Sequence, residues 1–137
     1  MRHAVANSVK SLTGLNLDQV DIVTGTEPRS LTAAGESAAL TAWVYKKDKR
    51  EKIPQNFASY CQTESDLFNR GLVLGQAQNL ARDLMELPSN LLTPKLFSKR
   101  IVEELAELGV KVNVYGADWI REQNMNAFWS VAKGHLG

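Results

Sequence analysis

One cysteine and two histidines in 137 residues leave little from which to build thiolate or imidazole chemistry. With Cys61 alone no internal disulfide framework can form, which fits a reducing compartment. His3 and His135 stand at opposite ends of the chain, against a zinc-type site, where such ligands cluster. Nor does any run of apolar residues approach the roughly 20 that a membrane span needs. The first residues, Met1-Arg-His-Ala-Val-Ala-Asn-Ser-Val-Lys10, lack the apolar centre of a secretory signal, so the expected compartment is the cytoplasm. The same start carries Arg2 and no acidic residue before Asp18, as mitochondrial transit peptides do, and the mitochondrion stands as the lesser alternative. Charge of one sign is missing too. Sixteen Lys and Arg against 15 Asp and Glu leave a net charge of +1, which gives no global attraction for nucleic acid, acidic lipid or a polyanionic substrate. The glycines compose no phosphate-binding loop.

What is present is an ordinary globular balance, 44% hydrophobic and 23% charged, in a length that suits one domain. Val5, Val9 and Leu12 are spaced four and three apart and predict a short amphipathic helix over residues 4–12, ending near Gly14. Residues 19–24 alternate Val20, Ile22 and Thr24 against Gln19, Asp21 and Val23, a strand closed by Gly25. A second helix follows from about Ser30 to Trp43, where Ala33, Ala34, Ala38, Ala39 and Ala42 allow close packing on a sheet. One strand makes no sheet, so this reads as the tail of an α/β domain. The run Lys46-Lys-Asp-Lys-Arg-Glu-Lys52 holds five cations and two anions. It reads as a solvated loop or as a nucleic-acid patch, and the lack of interleaved aromatics favours the loop.

A long helix is predicted from about Asp66 to Leu87, roughly 33 Å at 1.5 Å per residue. Thr63 or Ser65 would cap it, and Glu64 and Asp66 suit its first turn. Val73, Ala77, Leu80, Leu84 and Leu87 form its apolar stripe, widened by Leu74, Ala81 and Met85. Gly71 and Gly75, four apart, predict tight packing against a neighbour. The chain turns at Pro88 to Asn90, and Thr93-Pro94 starts the next helix, whose stripe is Phe97, Ile101, Val102, Leu105 and Leu108. Gly109 ends it. Val110, Val112 and Val114 then alternate as a strand through Tyr115, a short helix covers residues 118–123, and residues 127–132 read as another strand.

Carboxylate pairs exist on these helices: Glu103 with Glu107, and Asp118 with Glu122. Either pair could be half of a metal site. The competing reading, solvated faces with Lys99 and Arg100 pairing Glu103 and Glu104, is the stronger. Ser130 lacks a nucleophile elbow and Cys61 has no histidine nearby in sequence, so both read as structural.

Asn79-Leu-Ala-Arg82, Leu84-Met85-Glu86, Pro88, Asn90, Thr93 and Pro94 together closely resemble the linker segment of the leucyl, or cytosol, aminopeptidases. The likeness continues through Trp119-Ile-Arg-Glu-Gln123 and Phe128-Trp-Ser-Val-Ala-Lys-Gly134, and more faintly back to the first residues. It implies a truncated α/β architecture. Residues 1–62 would be the C-terminal part of an N-terminal α/β domain, 63–90 a linker helix and corner, and 91–137 the first helix-strand-helix-strand elements of a peptidase catalytic domain.

The resemblance also implies an activity for the complete form: removal of N-terminal residues from peptides by a hexameric enzyme holding two divalent metals, zinc or manganese. The lysine and the Asp and Glu side chains that hold those metals lie downstream of the position matching Gly137. No catalytic residue is therefore assigned in this chain, and alone it is expected to bind no metal pair and to be inactive. An auxiliary metal position of the family, formed by a Leu-Met-x-Thr segment, maps onto Leu84 and Met85, with Leu87 in place of the threonine. The alternative role is a non-catalytic subunit that docks onto full-length aminopeptidase through the stripe Val73 to Leu84. Neither a membrane nor a nucleic acid is an expected partner.

Overall fold

Val5 and Val9 point from one side of a ten-residue helix, α1 (Arg2–Ser11), into the core of the first of two units into which the chain divides, Met1–Glu86 and Leu87–Gly137. These come from a computed structural model, which describes residues 1–25, 27–45, 54, 56–60 and 65–135. The basic run Lys46 to Lys52, Cys61 and the cap candidate Thr63 lie outside the described residues.

The first unit continues with β1 (Gln19–Ile22), α2 (Pro28–Thr41), β2 (Asn56–Ser59) and the long helix α3 (Ser65–Met85). β1 and β2 pair in parallel, Gln19 opposite Asn56 through Ile22 opposite Ser59. The sheet so formed has two strands, with α2 in the connection, as parallel pairing requires. β2 corrects the sequence reading, which found a single strand. At four residues, following the charged run, it offers too little alternation to stand out. Pro28 occupies the first helical turn of α2, and the Glu27 carboxylate accepts the backbone N–H groups of Arg29 and Ser30. These are two of the donors a helix start leaves without internal partners.

α2 and α3 lie against each other unusually closely, and three glycines are the reason. A methyl group on Gly35 would run into the Phe68 carbonyl, one on Gly71 into the Thr32 carbonyl, and one on Gly75 would sit 2.6 Å from the Ala39 Cβ. With no side chain at these places, backbone meets backbone and many dispersion contacts form at once. Phe68, Ala34, Ala38, Val5 and Val9 make the buried core, with Ile22, Phe57 and Leu72 half-buried around it.

The tight packing expected of Gly71 and Gly75 is thus present, but the expected stripe is not the buried one. Val73 is 62% exposed and Leu74 45%. Two residues along a helix is about 200° of rotation, so a helix seated on Gly71 and Gly75 must carry Val73 on its far side. The alanines of α2 likewise pack on a helix, α3, and only marginally on the sheet.

The second unit holds α4 (Pro94–Ala106), α5 (Ala117–Glu122) and α6 (Asn126–Ala132), followed by a 3-10 turn at Lys133–His135. The Thr93 hydroxyl caps α4 by accepting the Leu96 N–H at 3.3 Å. At its other end Gly109 takes a positive φ of 70°. The N–H of Val110 returns to the Leu105 carbonyl and that of Gly109 to the Ala106 carbonyl, the paired bonds of a left-handed helix stop. Asn124, with φ 55°, ends α5 the same way, through Met125 N–H to Ile120 and its own N–H to Arg121. Asparagine is the residue besides glycine that tolerates this turn.

Two strands read from the sequence in this half are absent among the described residues. Residues 110–116 belong to no helix or strand there, and residues 127–132 are helical. Phe128, Trp129 and Val131 favour a strand by composition, but six apolar positions fit either period. The stop at Asn124 starts a new turn, in which the Trp129 N–H reaches the Met125 carbonyl and the Ser130 hydroxyl the Ala127 carbonyl. Neither α4, α5 nor α6 carries a buried residue.

Candidate functional site

Two places among the described residues gather polar or aromatic side chains: the corner at Asn79 and a groove in the second unit. At the first of these, the side chains close the end of α2. Asn79 donates its amide N–H to the Ala39 carbonyl at 2.8 Å, and Arg82 donates Nη1 to the Leu40 carbonyl and to Asn79 Oδ1, each at 3.3 Å. Ala39 and Leu40 sit in the last turn of α2, where carbonyls lack intrahelical partners and a cation is favoured by the helix dipole.

The guanidinium also lies 5.6 Å from the centre of the Trp43 ring, whose indole N–H donates to Asp83 Oδ1 at 3.0 Å. Tyr45 donates its hydroxyl to the Glu86 carbonyl at 3.0 Å, just past the end of α3. Asn79, Arg82 and Asp83 are thereby committed to holding α3 on α2. The sequence reading named Asn79 and Arg82 for their family likeness and Trp43 as a helix end, and gave no role to Tyr45 or Asp83. No local spacing links residues 40 positions apart.

Leu84 and Met85 form the last turn of α3, Leu84 half-buried and Met85 with 83% of its surface exposed. Their side chains bring no oxygen, and neither does Leu87, so only main-chain carbonyls could face a cation here. Among the described residues there is no group of three His, Cys, Asp or Glu side chains able to hold a metal ion. Of the carboxylates singled out from sequence, Glu103 pairs with Lys99 at 3.7 Å and the adjacent Glu104 with Arg100, both i,i+4 pairs of the expected kind. Ser130 is spent on its own helix. Glu27 is held below the usual carboxylate range by the Ser30 hydroxyl, then by the Ser30 and Arg29 amides. That is a helix cap rather than an acid or base.

The second unit offers an open groove of about 710 Å³. Val102, Val114, Tyr115, Ile120, Phe128 and Trp129 line it, together with Lys95, Lys99 and Glu103. Two ring contacts order it: Tyr115 stacks on Trp119 with centroids 4.3 Å apart, and Arg121 lies 4.2 Å from the centre of the Trp129 ring. The groove can bury apolar surface. Of its polar lining, Lys99 is paired with Glu103 at 3.7 Å and the Ser98 hydroxyl donates to the Pro94 carbonyl.

Residues 79–136 match the model of the cytosol aminopeptidase family, catalytic domain. The match begins at the asparagine that closes α2. Cytosol aminopeptidases of Xenopus tropicalis and Bos taurus are each 34% identical over 98% of this chain, which corresponds to 26% of their own length. A probable cytosol aminopeptidase of Koribacter versatilis is 41% identical over 47% of the chain and 12% of its own length. The chain thus spans about a quarter of the length of the full-length relatives it matches along nearly all its residues. Along the stretch it shares with them, from the first helix through the clamp at Asn79 to the aromatic groove, the chain belongs to the cytosol aminopeptidase family.

Proposed function

We propose that this chain is a segment of a leucyl-type metalloaminopeptidase whose complete form removes N-terminal residues from peptides. The observation that carries the reading is the alignment of 98% of the chain with 26% of cytosol aminopeptidases. Residues 1–62 correspond to the end of the N-terminal domain, 63–90 to the linker helix and corner, and 91–137 to the opening of the catalytic domain. The complete enzyme would act on peptides with a free N-terminus, in the cytoplasm, as a hexamer. The mitochondrion is the alternative site, on the strength of the Arg-bearing start.

Two divalent ions, zinc or manganese, would supply the complete enzyme with Lewis acidity and an activated water. The described residues of this chain do not fit such a pair, since they hold no cluster of three ligating side chains. No step of the reaction is therefore assigned to them. The auxiliary position at Leu84 and Met85 rests on resemblance and would depend on main-chain oxygens. The purified chain is accordingly expected to leave leucine amides uncleaved with manganese or zinc added. Turnover that a chelator abolishes would contradict this.

A second reading is favoured by the exposure of Val73 and Leu74 on α3. Through this face the chain docks onto full-length aminopeptidase subunits as a non-catalytic member. Co-elution with a full-length subunit, lost on Val73→Glu, is the expected result in size-exclusion chromatography, and an unchanged elution volume for the mixture counts against docking.

A further inference from the structure

We draw no further inference here: the strongest candidate, the apolar groove of the second unit lined by Val102, Val114, Tyr115, Ile120, Phe128 and Trp129, carries nothing, because the chain spans about a quarter of the length of its relatives and nothing in the structure shows what covers this groove.

Discussion

Glu27 shows how much of this chain's charged chemistry serves backbone termini. Its carboxylate stands in for the missing carbonyls at the start of α2, and the donors around it hold its titration low. A carboxyl whose folded value is depressed stabilises the fold fully above its unfolded value and loses that contribution as pH falls through the folded one. Glu27→Gln, which keeps the shape but removes the charge, is therefore expected to lower the urea midpoint at about pH 6, by a difference that shrinks as pH falls through the folded value. A difference that persists in acid would assign the effect to shape. Asn79 and Arg82 perform the same service at the other end of the helix. The residues with the strongest family likeness in the first unit are thus structural, which sequence spacing alone had no means of showing.

Among the elements, the pair α2 and α3 is the most exacting. Gly71→Ala improves intrinsic helix propensity by about 1 kcal/mol. It also drives a methyl group into the backbone of α2 around Thr32, where no side chain can swing aside. Overpacking of this kind costs about 1 to 3 kcal/mol, and against a backbone carbonyl the upper part of that range applies. A net loss of about 2 kcal/mol is expected, read as a lowered urea midpoint with the slope unchanged. A variant at least as stable as the parent would show that the helices separate at little cost.

The helices themselves were legible before the structure: α1, α2, α3, α4 and α5 fall close to where spacing, caps and glycines put them. The face α3 buries was not. An apolar stripe measures what a helix can bury, whereas the glycines determine how near another backbone comes, and here nearness prevailed. The run 127–132 failed for a different reason, since bulky apolar residues serve a short helix as well as a strand. At the candidate site, sequence had no access to the partners across space, Trp43, Tyr45 and Asp83.

At the scale of the whole molecule the two units differ in what they enclose. The first has a core of Val5, Val9, Ala34, Ala38 and Phe68, whereas the helices of the second bury no residue and leave Phe97, Leu108, Phe128 and Val131 exposed. Apolar area withdrawn from water is the main stabilising term, at about 25 cal/mol per Å², so stability should be concentrated in the first unit. Amide exchange in dilute solution is expected to show strong protection in α2 and α3 and weak protection throughout α4 to α6. Equal protection in both would mean that the second unit has found cover. The family relationship gives this asymmetry a simple sense, because full-length relatives are about four times as long and have far more chain from which such cover could come.

The clamp on α2 has a temporal side. Ala39 and Leu40 leave the ribosome about forty residues ahead of the side chains that satisfy their carbonyls. Until Asn79 and Arg82 emerge, a nascent chain carries a frayed, water-bound helix terminus, and the first unit can close only when synthesis has reached the very residues at which the match to the peptidase family begins.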